Sequence, residues 1–315
     1  MSFASRTKKE LTQVASTPCC EQSELIALIQ HAGVLHAWDN GKVLDLSTEN
    51  AAIARRAYTL WRSVYSGSLE VLVQKKMRLK KNNVYIIRMR WDVEPFLNSL
   101  GLYDGEQLVH RIPKGFITQT CCKKSYMRGA FLASGSVNDP ESHTYHLEIS
   151  NKNELQVDHL LHLLQGFRLH AKEIERKKGH IIYLKEGEKI VEFLGLIGAH
   201  QAVLHFEEVR IVKGMRNQVN RLVNCETANL NKTISAAVRQ IENIRLIATR
   251  MGLNKLPRKL QVVAEKRLQY PEITLQELCE VLPERVSKSG LNHRLRKLDE
   301  IAKKIRADRQ NYLES

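Results

Sequence analysis

Near the C-terminal end, Lys288, Ser289, Asn292, His293, Arg294, Arg296 and Lys297 fall within ten residues. These are side chains that read nucleic-acid bases: Arg and Lys give two hydrogen bonds to guanine, and Asn pairs bidentately with adenine. Leu291, Leu295, Leu298, Ala302 and Ile305 recur between and beyond them at helical spacing and form an apolar stripe. Ser289, Asn292, His293, Arg296 and Lys297 are then left on the opposite face. A plainer reading makes them the wet side of an ordinary amphipathic helix.

Several elements must position that face. The long helix should run from Ser287 to about Ile305, after a turn through Pro283. Before it, Thr274-Leu275-Gln276-Glu277 is a capping box, in which hydroxyl and carboxylate satisfy opposite orphan amides of a short helix ending near Val281. Thr274 is also a candidate DNA contact. LPRKLQVVAEKRLQY (256–270) places Leu260, Val263, Ala264 and Leu268 on one face, and Pro271 stops it. Short helix, tight turn and basic helix together make a helix-turn-helix, expected at about 274–308. Upstream, Ile234, Val238, Ile241, Ile244, Ile247 and Ala248 predict a core-facing helix ended by Gly252. The Asn-rich stretch 217–231 before it could cap or staple helices.

Cysteine and histidine are the other candidates for chemistry. Six cysteines stand at 19, 20, 121, 122, 225 and 279. Adjacent Cys-Cys pairs lack zinc spacing, and no Cys-x-x-Cys or His-x-x-x-His accompanies them. A redox or metal pair is one reading; small apolar residues in a core is the other, and it is the expectation here. His31 and His36 have no ligand partner at useful spacing and are read as structural. No metal, cofactor or small-molecule substrate is expected.

The Cys pairs open an internal repeat. CCEQSELIALIQHAGVL at Cys19 and CCKKSYMRGAFLASGSV at Cys121 superpose at an offset of 102 positions, aligning Ser23 with Ser125, Ala27 with Gly129 and Gly33 with Gly135. Each copy predicts a short buried helix, then a strand (42–50 and 145–153), then a helix (51–65 and 154–166). Two strands follow in each, joined at Lys81-Asn82-Asn83 and at Lys178-Gly179, then a closing helix (93–100 and 189–196). The result is a pseudo-symmetric α+β pair.

MRGAFLASGSV (127–137), which keeps Gly129 and Gly135, resembles the LAGLIDADG motif of homing endonucleases. The resemblance implies two motif helices packed at a pseudo-dyad, with Ala27, Gly129, Ala130 and Ala133 allowing close approach. It also implies a metal-binding carboxylate at the eighth motif position of active enzymes. That position is Ala32 in one copy and Ser134 in the other, and neither can hold Mg²⁺ against a phosphate. With TENAAIARRAYTL (48–60), KKMRLKKNNVYI (75–86), RGAFLASGSVNDPES (128–142), LPRKLQVVAEKRL and SGLNHRLRKLDEIA, essentially the whole chain is similar to the WhiA family. In that family a degenerate LAGLIDADG-like domain precedes a helix-turn-helix domain. The resemblance implies an α+β fold and a non-enzymatic, sequence-specific transcription regulator of cell division, chromosome segregation or, in spore formers, sporulation. Competing readings are an active homing endonuclease or maturase, and an architectural or interaction factor whose repeat domain binds protein.

Charge agrees with a nucleic-acid partner. The net charge is +15; residues 216–315 alone carry 20 Lys and Arg against 11 Asp and Glu. A basic domain points first to double-stranded DNA. In the repeat, Lys75, Lys76, Arg78, Lys80 and Lys81 at the first hairpin and Arg176, Lys177 and Lys178 at the second are candidate phosphate contacts, although a charge run is usually a solvated face. The resemblance implies that such sheets form a saddle over a duplex. The expected division is 1–103 and 104–215 for the two repeat halves and 216–315 for the DNA-binding domain. The N-terminus lacks the apolar core of a signal peptide and no apolar run would span a bilayer, so a cytoplasmic, nucleoid-associated protein with no membrane partner is expected.

Overall fold

A computed structural model describes the chain except residues 39, 40, 76–82, 114, 178, 314 and 315, and describes only the backbone of 308–313. It divides into two compact units, Met1–Lys213 and Gly214–Ser315. The first repeat half contains α1 (Phe3–Leu11), α2 (Pro18–Ala32), β1 (Gly33–Trp38), β2 (Gly41–Thr48), α3 (Ala51–Val64), β3 (Glu70–Lys75), β4 (Asn83–Met89) and α4 (Val93–Ser99). The second contains α5 (Thr120–Ser134), β5 (Gly135–Val137), β6 (Leu147–Asn151), α6 (Glu154–Gly166), β7 (Lys172–Arg176), β8 (Gly179–Leu184) and α7 (Gly187–Ile197). Each half carries an antiparallel four-stranded sheet, in order β1-β2-β4-β3 and β5-β6-β8-β7. Registers correspond: Gly33 lies opposite Leu46, and Gly135 opposite Ile149. Equivalent asparagines cap equivalent helices, Asn50 accepting from the amides of Ala52 and Ile53, and Asn153 from that of Gln156.

β1 and β5 were not expected from the sequence. They begin at the residue after each motif helix, with no turn residues between. A Cβ on Gly33 would lie 2.3 Å from the Ile29 carbonyl oxygen, and one on Gly135 2.2 Å from the Phe131 ring. Only glycine permits so abrupt a passage from helix to strand. The turn at Lys81-Asn82 and residue Lys178 fall outside the described residues; Asn83 and Gly179 prove to be the first residues of their strands. The N-terminal segment, read in the sequence only for its lack of a leader, forms α1 and buries Phe3, Thr7 and Leu11.

The core of this unit is the α2–α5 pair. Leu25, Ile26, Ala27, Leu28 and Ile29 on α2 and Tyr126, Met127, Ala130, Phe131 and Leu132 on α5 are completely buried. Helices buried on every side show no polar face, as expected of a central pair. A Cβ on Gly129 would meet the Glu24 carbonyl oxygen at 2.5 Å and the Ala27 Cβ at 2.8 Å. The helices therefore touch at the equivalent positions 27 and 129, on the pseudo-dyad. At their first turns the sulfurs of Cys19, Cys20, Cys121 and Cys122 all lie within 4.8 Å of one another. Cys20 and Cys122 are buried as expected, but Cys19, Cys121 and Cys225 are exposed, so the core reading is corrected for those three.

In the second unit the chain is helical throughout. α8 (His200–Arg250) begins in the first unit, where the Glu10 carboxylate accepts from the Gln201 amide at 2.6 Å, and runs on into the second. A short 3-10 turn (Leu253–Lys255), α9 (Arg258–Gln269), α10 (Leu275–Glu280) and α11 (Lys288–Leu313) follow. The asparagines of 217–231 lie inside α8 on exposed turns and cap nothing, which corrects that expectation. Ile234 and Val238 are 51% and 49% exposed, so the core-facing stripe starts only near Ile244 and Ile247, where α9 and α11 give it something to pack against.

The helix crossing generates a test. In an open helix Gly129→Ala would gain about 1 kcal/mol of helix propensity. Here the added methyl meets backbone, so it should destabilise the first unit, and Gly129→Leu should do so by about 1–3 kcal/mol or more. Calorimetry should show the transition of residues 1–213 lowered, with helical circular dichroism of the second unit retained. An Ala variant as stable as the parent would place Gly129 outside the crossing.

Candidate nucleic-acid interface

The second unit builds one exposed basic helix on a capped scaffold. The Thr274 hydroxyl accepts from the Glu277 amide at 3.3 Å, and the Glu277 carboxylate accepts from the Thr274 amide at 2.7 Å. The capping box expected from the sequence is therefore formed. Hydrogen bonding from Thr274, its backbone amide first, holds the Glu277 carboxyl below its ordinary range. Arg267 of α9, almost wholly buried, donates to the Ile273 carbonyl at 2.6 Å and fixes the turn into α10. Burial lowers the Arg267 pKa. Leu278 drives α10 into the core, and Leu291, Leu295, Leu298 and Ala302 do the same for α11. Asn243 of α8 donates to Asp299 and accepts from Arg306, both at 2.7 Å, pinning the far side of α11.

With the apolar stripe buried, Lys288, Ser289, His293, Arg296 and Lys297 are exposed, and Asn292 is half-buried. Two candidates are less free than their residue types imply. Arg294 is half-buried with a guanidinium 3.7 Å from the Glu284 carboxylate, and the Thr274 hydroxyl already accepts the cap bond. The sequence reading missed Arg285, exposed ahead of α11, and Lys303 and Lys304, exposed on the Arg296 side. Spacing of seven from Arg296 to Lys303 was the available signal.

The repeat unit is less openly basic. Lys75 at the end of β3, Arg176 at the end of β7 and Lys177 beside it are exposed. Lys76, Arg78, Lys80, Lys81 and Lys178 lie outside the described residues. On the sheet face turned from the core, Arg176 shares β7 with Lys172, which sits opposite Tyr183. In the first sheet the equivalent face carries Arg88, held bidentately by Asp45 at 2.7 Å and 2.7 Å, and nearby Arg90 bonds Glu70 at 3.1 Å. Both guanidiniums lie over the half-exposed Trp38 ring. These cations are already partnered within the chain.

At the C-terminal ends of α2 and α5, where a motif nuclease would place carboxylates, stand Ala32 and Ser134. Between them His31 Nδ1 accepts from the Asn151 amide at 3.0 Å and lies 3.3 Å from Ser134 Oγ. Asn151 donates to Gln156, Gln156 to the Gln30 carbonyl, and Tyr126 to the Gln30 side chain. Gln30, His31, Ser134, Asn151 and Gln156 border a cavity of about 550 Å³, and no Asp or Glu is among its described lining residues. The chemistry of this donor set is amide hydrogen bonding, with no oxygen cage for a hard cation.

Three family models match the chain: a WhiA N-terminal LAGLIDADG-like domain over residues 18–103, a WhiA LAGLIDADG-like domain over 123–216 and a WhiA C-terminal HTH domain over 219–302. The chain belongs to the WhiA family. The probable cell division protein WhiA of Bacillus subtilis strain 168 is 57% identical over 309 residues, covering 97% of this chain and 98% of that protein. Its counterpart in Bacillus licheniformis is 56% identical over 309 residues, covering 98% of each. The crystal structure of full-length WhiA from Thermatoga maritima aligns with a TM-score of 0.60 at 28% identity, over 96% of this chain and 99% of that one. An isolated N-terminal LAGLIDADG domain of WhiA aligns with a TM-score of 0.50 at 26% identity, over 62% of this chain and 90% of that one. The WhiA architecture is thus α+β, a pseudo-two-fold LAGLIDADG-like repeat domain followed by an all-α helix-turn-helix domain.

His31 generates a test of the motif ends in this WhiA-family chain. Burial lowers its pKa from the ordinary 6.5 to about 4. A depressed histidine favours folding while neutral: the contribution is full above the unfolded pKa and is lost as protons bind the unfolded chain. Stability of the first unit should therefore fall more steeply between pH 6.5 and about 4 in the parent than in His31→Asn. Urea titrations across that range measure the two slopes. Equal slopes would mean that His31 titrates as a solvated group.

Proposed function

We propose that the chain is a non-enzymatic, sequence-specific DNA-binding regulator of cell division and chromosome segregation. Residues 216–315 would be its DNA-reading domain, and 1–103 and 104–215 the halves of a domain that has kept a nuclease's frame without its chemistry. The observation that carries this is the face of α11. Lys288, Ser289, His293, Arg296 and Lys297 point away from a fully formed core, with Asn292 beside them. The match to a WhiA C-terminal HTH domain and the cell-division names of relatives more than half identical support the same reading. Action on DNA as a transcription regulator would place the protein in the cytoplasm at the nucleoid. Among the described residues no helix is long and apolar enough to cross a membrane.

A second reading has its own observation. The first sheet's outward arginines are taken by Asp45 and Glu70, while Val34 and Trp38 are each 48% exposed beside them. Such a surface suits a protein partner better than a phosphate backbone, so the repeat domain could serve as an interaction module in the transcription or division machinery.

Two measurements test the main reading. On a site selected from random duplexes, Arg296→Ala should cost about 1–3 kcal/mol and relax preference at one base pair. Arg176→Ala, if that strand end lies on phosphate, should weaken all sequences alike and reduce the salt slope by about one. Unchanged affinities of Arg296→Ala for both selected and random duplexes would remove α11 from the interface. Separately, the purified protein with Mg²⁺ or Mn²⁺ should leave the selected duplex uncut. Metal-dependent cleavage abolished by mutating a carboxylate of this chain would overturn the non-enzymatic assignment.

A further inference from the structure

We propose that Cys19, Cys20, Cys121 and Cys122 form a tetrathiolate site for a single zinc ion at the pseudo-dyad. Their four sulfurs lie within 4.8 Å of one another, and Cys121 Sγ is 4.0 Å from Cys122 Sγ. With Zn–S bonds of about 2.3 Å, a tetrahedron of thiolates has edges of about 3.8 Å. Closing onto one ion therefore needs sub-ångström to ångström adjustments of side chains, not movement of either helix.

Core packing does not account for the arrangement. It explains Cys20 and Cys122, which are buried, but Cys19 and Cys121 are exposed and converge all the same. Each helix supplies a pair from its first turn, α2 starting at Pro18 and α5 at Thr120. Thr17 Oγ1, 3.3 Å from Cys19 Sγ, is placed to donate to a ligating thiolate. Ligand chemistry selects the metal: four soft sulfurs in tetrahedral reach suit zinc, whereas Mg²⁺ and Ca²⁺ need oxygen. A cluster of several irons would hold its thiolates farther apart than these.

Such an ion would tie the first turns of the two motif helices together, each repeat half supplying two ligands. Spacing within either half gives no hint of it, since neither Cys-Cys pair is a chelate by itself. The site also differs from the DNA-reading face in place and chemistry, so its failure would leave the proposed function standing.

The full-length protein, reduced and freed of loose metal by gel filtration, should retain one zinc per chain by mass spectrometry of its metal content. Cobalt loaded in its place should give the visible bands and thiolate charge transfer of a tetrahedral tetrathiolate. In the Cys19→Ser, Cys121→Ser double variant, which changes only exposed residues, bound zinc should be lost. A strong chelator should lower the unfolding temperature of the parent and leave that of the variant unchanged. The proposal is overturned by reduced protein that takes up neither zinc nor cobalt, by iron or copper in stoichiometric amount instead, or by full zinc retention in the double variant. A protein mass showing disulfides, with no zinc bound after reduction, would equally overturn it.

Discussion

Everything in the repeat unit depends on how closely α2 and α5 approach. Their separation is set where the Gly129 backbone sits against the Glu24 carbonyl and the Ala27 methyl. Around that contact a buried charge cluster orients the neighbours. Glu24 is completely buried, held bidentately by Arg56 of α3 at 2.9 Å and by Arg128 of α5 at 2.9 Å. Arg128 also reaches Ser16, Ser125 and the Ile197 carbonyl, so one side chain links both motif helices to the end of α7. A buried ion cluster is not in itself strong evidence of stability, because desolvation offsets much of its attraction. Removing Glu24 would leave two guanidiniums without their carboxylate, so any register that separates these groups carries that penalty.

The two halves share what a repeat must share and differ where they meet. Strand order, register, the capping asparagines and the corner glycines recur. Glu24, however, corresponds to Tyr126 and Arg128 to Ile26, so the charge cluster is one-sided. Pseudo-symmetry therefore describes the backbone, while the side chains across the dyad are complementary. The same asymmetry appears at the motif ends, where His31 and Ser134 stand together in an amide network. A frame suited to pairing two carboxylates holds hydrogen-bonding groups instead.

Electrostatics separate the two units. Of the net charge, +9 falls in residues 216–315 and +6 in the longer remainder. The difference is sharper in three dimensions, because Arg88, Arg90, Arg56 and Arg128 are spent on carboxylates of their own chain. Among the described residues, Arg294 alone of the candidate cations on α11 has a carboxylate within reach. Free cations interact with a polyanion without first losing a partner, which is the physical reason to look for DNA contact on α11.

Local interactions were legible in the sequence by itself. The Thr274 box, the helix at 154–166 and the exposed face of α11 depend on residues within a few turns of one another, and each formed where composition and spacing put it. The offset of 102 likewise pointed to the paired motif helices, and the resemblance to the LAGLIDADG motif is what marked Ala32 and Ser134 as standing where active enzymes carry carboxylates. Tertiary structure decided the rest. β1 and β5 follow their motif helices with no turn residues between, and pairing with β2 and β6 is what makes them strands. Ile234 and Val238 carry a helical stripe like that of Ile244 and Ile247, yet among the described residues only the latter pair belongs to the core. Lys75 and Arg88 look alike as cations, and a cross-strand Asp45 is what separates them. The four thiols show it most clearly: two pairs a hundred residues apart, each inert by its own spacing, meet because the helices that carry them cross. Distance along the chain says nothing of that, since convergence is a property of packing.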